Sequence, residues 1–128
     1  MKTTRAISIL FVVSAIYDGV LGAAFLVAGG ALFQWLGVTP PNHLGYVHFP
    51  AALLIVFALM FIAVAVNPIR NRNLIPYGIL LKVSYCGVIL FHWIDAGLPM
   101  MWKPFCIADF LFLILFAWAW ISLGRRQS

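Results

Sequence analysis

Four continuous apolar runs, at 7–30, 49–66, 75–93 and 104–124, constrain this chain more than anything else in it. At 1.5 Å per residue each run reaches about 27 Å or more as a helix, enough to cross a hydrocarbon core roughly 30 Å thick. Only 9% of the 128 residues are charged and 65% are hydrophobic, whereas soluble domains carry about 25% charged residues. A transmembrane β-barrel is excluded, because the runs lack the polar–apolar alternation of its strands. The expected fold is therefore an all-α membrane protein, a four-transmembrane-helix antiparallel bundle forming one domain over 1–128.

Proline placement agrees with these boundaries. Pro50, Pro76 and Pro104 are expected in first turns, where a missing N–H is harmless, and Pro68 follows the second run. The connections at 31–48, 67–74 and 94–103 are too short for a soluble domain. The first run has a basic start like that of a signal peptide, but Asp18 interrupts it and the apolar stretch resumes to Gly30, so it reads as a retained span.

Lysine and arginine set the orientation, since they are retained on the cytoplasmic side. Lys2, Arg5, Arg70, Arg72, Arg125 and Arg126 all fall on one face of a four-span arrangement, and the opposite face has only Lys103. Both termini are thus expected in the cytoplasm, with the chain a multi-pass protein of a bacterial inner membrane. Trp35, Tyr46, Trp93 and Trp102 gather at the outer boundary and Tyr77, Trp118 and Trp120 at the inner one, as an interfacial aromatic belt requires. The net charge of +5 belongs to this pattern and not to nucleic-acid binding, because the basic residues flank apolar segments instead of forming a patch interleaved with aromatics. Cys86 and Cys106 lie in apolar runs without metal or redox spacing and read as packing residues.

Ionisable groups inside a span cost about 2.5 to 3.5 kcal/mol each on insertion scales, so each suggests a site with a partner. Here they are Asp18, Lys82 and Asp109. Counting helical rises puts Asp18 about 16 Å, Lys82 about 10 Å and Asp109 about 21 Å from the inner face. A lysine stem spans the first difference, which makes Asp18 and Lys82 the expected pair. Asp109 then lacks a fixed positive charge, and protonation, pairing with His92 or contact with a polar ligand all stay open. Gly78, Lys82, Tyr85, Ile89 and His92 share one face of the third helix; Trp102, Cys106, Asp109, Leu113, Phe116 and Trp120 share one of the fourth; Ser14, Asp18 and Gly22 share one of the first, and these three polar-bearing faces are expected to point inward. Asp18, Lys82, Asp109 and Tyr85 are the candidate polar or proton-coupling centre. The plain alternative is that these groups hold helices together by interhelical hydrogen bonds, with Gly19, Gly22 and Ala23 allowing close approach.

His48 and His92 fall near the outer ends of two spans, where they are candidate axial ligands of a haem b; a quinone near the same face is the other possible redox group. A metal held by His43, His48, His92 and Asp95 has no recognised ligand spacing behind it. No phosphate-binding glycine loop, nucleophile elbow or HExxH pair occurs, so the chain reads as something other than an enzyme.

The short basic N-terminus, the first-span segment SAIYDGVLGAAFLVAGG and four compact spans together resemble the small DoxX-like bacterial membrane proteins. That resemblance implies an accessory subunit associated with redox chemistry, beside a quinol- or thiosulfate-oxidising partner. Three functional readings follow. The chain is an accessory or structural subunit or binding module, homo-oligomeric or joined to other membrane subunits within the lipid bilayer. Alternatively it is a proton-coupled small transporter using Asp18, Lys82 and Asp109, or a redox protein binding haem or quinone.

Overall fold

A computed structural model describes residues 2–39, 42–96 and 103–127 of the chain. Among these residues there are four α-helices, α1 (Lys2–Trp35), α2 (Gly45–Val66), α3 (Ile75–Ala96) and α4 (Lys103–Gln127), with a single 3₁₀ turn, Arg72–Leu74, before α3. Each of the four is long and apolar enough to cross a membrane. Trp102, assigned above to the outer belt and to the polar face of the fourth helix, lies outside the described residues, as does the side chain of Arg126.

The helices run past the apolar segments because their ends are decided by caps and not by hydropathy. α1 continues to Trp35 and stops where Gly37 takes φ +69°, a left-handed conformation that glycine adopts without steric penalty. Gly37 N–H then donates to the Gln34 carbonyl at 3.2 Å and Val38 N–H to the Phe33 carbonyl at 2.9 Å. This is the paired closure of a Schellman motif. Within α1, Ala28 leaves helical geometry at φ −129°, ψ 28°, so the helix kinks where the Gly29–Gly30 pair begins. α2 begins at Gly45, earlier than the apolar run, and Pro50 consequently sits inside the helix instead of in its first turn. At its other end Asn71 Nδ2 donates to the Ala63 carbonyl at 2.8 Å, while Asn67 Oδ1 accepts from Arg70 N–H at 3.1 Å, which satisfies backbone groups that a helix end leaves open.

The main core is an aromatic stack. Phe11 lies parallel to Phe116 with ring centres 4.6 Å apart, and Phe61 meets Phe11 at 5.8 Å and Phe116 at 5.2 Å. Ile7, Val64, Ile75 and Leu123 complete the same cluster. Glycines set the closest approaches. A Cβ on Gly22 would stand 2.6 Å from the Ala51 backbone oxygen, and one on Gly78 would stand 2.8 Å from the Phe61 ring. α1 packs along α2, and α3 along α4, whereas the α2 and α3 backbones stay apart over most of their length and meet mainly where Phe61 lies on Gly78. The outer surfaces are apolar, with Ile16, Val20, Val27 and Leu59 all exposed.

Candidate functional site

Three buried stripes at helical spacing bring the charged residues together. On α1 the stripe passes through Phe11, Ser14, Asp18, Gly22 and Phe25; on α3 through Ile75, Gly78, Lys82, Cys86 and Ile89; on α4 through Cys106, Asp109 and Phe116. Asp18 is 1% exposed, Lys82 0% and Asp109 8%. Lys82 Nζ donates to Asp18 Oδ1 at 3.1 Å and Oδ2 at 3.0 Å, and to Asp109 Oδ1 at 3.1 Å. One ammonium therefore joins three helices, and its three N–H donors each meet a carboxylate oxygen.

The apolar wall around this ammonium is aromatic. Phe112 lies 5.2 Å, Tyr17 5.6 Å and Phe61 5.8 Å from Nζ by ring centre, distances at which a cation is attracted to a π face. Tyr17 and Tyr85, both partly buried, stand within electrostatic range of Asp109. The Ser14 and Tyr17 hydroxyls are buried without a hydrogen-bond partner among the described residues. Such groups are rare in folded proteins. Ser14 is one helical turn from Asp18, so the centre has hydrogen-bonding capacity beyond the three charge-assisted bonds.

The sequence-based pairing of Asp18 with Lys82 is found in the geometry, but Asp109 is not left without a cation: Lys82 reaches it as well. The suggested His92–Asp109 pairing does not form. His92 is exposed in the last turns of α3, its ring edge-on to Phe91 at 5.4 Å, so its assignment to the inward face is also overturned. Periodicity places it on the azimuth of buried Ile89, but it is the next residue, Trp93, that meets the start of α4, its ring centre 4.8 Å from Lys103 Nζ. His48 is partly buried near the start of α2, and His92 is exposed near the end of α3. Among the described residues no three histidine, cysteine or acidic side chains converge as a metal site.

Two features escaped the sequence. Cys86 and Cys106, twenty residues apart, are both buried, with Cys86 Sγ 3.6 Å from the Cys106 carbonyl oxygen. The separation of α2 from α3 also opens a groove of about 540 Å³, lined by side chains that include Phe25, Phe33, Tyr46, Leu54, Phe57 and Tyr85. Almost all of its lining is apolar. The Ser84 hydroxyl in its wall is turned to the Leu80 carbonyl at 2.7 Å. Tyr85, one of the residues lining this groove, lies three positions after Lys82 on α3.

Compared with models of protein families, with characterised proteins and with solved structures, the chain matches none.

Proposed function

We propose that this chain is a four-span inner-membrane protein that acts as a proton-linked binding module, with antiparallel helices and both termini in the cytoplasm. The observation that carries the reading is the buried Asp18–Lys82–Asp109 centre, in which two carboxylates share one ammonium. A single ion pair would join α1 to α3, and a neutral hydrogen-bonding side chain at position 109 would suffice to tie in α4. A second carboxylate adds an insertion cost of about 2.5 to 3.5 kcal/mol with no second cation to balance it. With all three groups ionised the centre carries one net negative charge, and taking up one proton makes it neutral. That is the arithmetic of a site that binds and releases a proton, while the groove that Tyr85 helps to line supplies lateral access for a membrane-soluble ligand.

The topology draws on two supports. Ile7 and Ile75, which begin α1 and α3, pack in one cluster with Val64 and Leu123, which end α2 and α4. The exposed aliphatic surface of all four helices suits lipid and would be costly in water. Four short helices enclose little room beyond this centre, which favours action within a homo-oligomer or beside other membrane subunits.

The test is proton counting. After a small acid pulse on purified protein, read by an indicator dye, the wild type is expected to bind one more proton per chain than Asp109→Asn. Equal uptake by the two proteins over the range in which both stay folded refutes the reading.

A further inference from the structure

A different part of the molecule, the end of the bundle where the α2–α3 connection meets the last turns of α4, holds a built cationic cleft. Arg72 is anchored there by three contacts. Its Nε and Nη2 donate to the Trp120 carbonyl at 3.0 and 2.9 Å, and its Cζ lies 3.5 Å from the centre of the Trp120 ring system. Gly124 makes the room: a Cβ there would stand 2.6 Å from Arg72 Nη2 and 3.1 Å from Cζ. With Nε and Nη2 engaged, Nη1 remains to donate to a further acceptor. Beside it a shallow cavity of about 170 Å³ is lined by Ile69, Arg70, Arg72, Asn73 and Trp120.

Charge at this end is one-sided. Lys2, Arg5, Arg70, Arg72 and Arg125 belong to it, while the chain's three acidic residues are elsewhere: Asp18 and Asp109 engage Lys82, and Asp95 is at the far end of α3. An immobilised guanidinium beside an exposed second arginine and an asparagine amide matches the oxygens of a phosphate ester. Ile69 and the Trp120 indole add an apolar flank to the same cavity. A free phosphate has no use for that flank, whereas the glycerol and upper acyl chain of a lipid do.

We propose that this cleft binds the phosphate of an anionic phospholipid headgroup, with Arg70 and Arg72 on its oxygens and Gly124 as a positioning residue that lets Arg72 lie against Trp120. The proposal rests on the four-span reading, which sets the cleft at headgroup level, and is independent of the proton centre.

The test uses the full chain in nanodiscs of mixed phosphatidylglycerol and phosphatidylcholine, with bound lipid counted by native mass spectrometry after release. Retention in the membrane after an alkaline wash checks the four-span reading separately. Each basic residue near an anionic surface contributes about 1 kcal/mol, so Arg70→Gln or Arg72→Gln is expected to lower the preference for phosphatidylglycerol roughly fivefold. Gly124→Ala removes no charge yet should lower it similarly by displacing Arg72. Should that variant fold poorly, Arg72→Lys keeps the charge, loses the fork and should fail to restore the preference. If Lys2→Gln has the same effect as Arg72→Gln, while Gly124→Ala and Arg72→Lys have none, the attraction is diffuse surface charge and the cleft is overturned. Displacement of the lipid by millimolar inorganic phosphate would overturn the assignment to a lipid headgroup.

Discussion

Replacing Lys82 with methionine removes the ammonium and nearly preserves the length of the side chain. Asp18 and Asp109 would then remain buried, at 1% and 8% exposure, after losing all three hydrogen bonds that Lys82 Nζ donates at 3.0 to 3.1 Å. Deleting one partner of a buried ion pair costs about 3 to 5 kcal/mol because the charge left behind stays uncompensated. Here two carboxylates are left, so the loss should lie at the upper end of that range. Asp109→Asn is different: Lys82 keeps both oxygens of Asp18 and the centre becomes electrically balanced, so the change should stay within about 1 kcal/mol. The triple neutral variant Asp18→Asn, Lys82→Met, Asp109→Asn should recover most of the Lys82→Met loss, since replacing a whole buried ionic group by neutral residues is often neutral or stabilising. Unfolding titrations in mild detergent, followed by tryptophan fluorescence, measure all three. If Lys82→Met unfolds like the wild type, or if Asp109→Asn loses as much as Lys82→Met, the charge argument is refuted.

Other outcomes test the packing. Gly22→Ala should cost about 1 to 3 kcal/mol, because its Cβ would meet the Ala51 backbone oxygen at 2.6 Å and force α1 from α2, whereas Gly30→Ala, with open space around it, should be tolerated; thermal melts distinguish the two. Phe116→Ala removes a ring packed on both Phe11 and Phe61 and should cost about 3 to 5 kcal/mol in the same melts. Cys86 and Cys106 are both buried, so neither should react with a water-soluble maleimide in the folded protein and both should react after unfolding; labelling of either in the folded state would show that the α3–α4 contact is wrong.

The helical architecture was legible because apolar runs of this length leave a chain few alternatives. Its boundaries were less so. The extension of α1 to Trp35 depends on the Gly37 closure, and the early start of α2 puts Pro50 inside a helix, neither of which hydropathy reports. The Asp18–Lys82 pair could be anticipated from depth along the helices, but the reach of the same ammonium to Asp109 depends on how three helices pack in cross-section. His92 shows the complementary failure. Its spacing from Ile89 is right for an inward residue, yet a stripe is buried only where another helix covers it. The Cys86–Cys106 contact and the fit of Arg72 over Gly124 join residues far apart in the chain, and no local pattern signals either one.

Uptake of a single proton by the Asp18–Lys82–Asp109 centre is directly observable because the chain is so poor in carboxylates. The chain has three acidic residues in all, each an aspartate, so labelling aspartate with carbon-13 gives three side-chain carboxyl signals, and Asp95→Asn identifies the one outside the centre. Solid-state NMR of the labelled protein in bilayers, recorded across pH, is predicted to show the Asp18 and Asp109 signals moving together by the equivalent of one proton and Asp109→Asn to abolish that movement. Two signals that remain those of ionised carboxylates throughout would contradict the account.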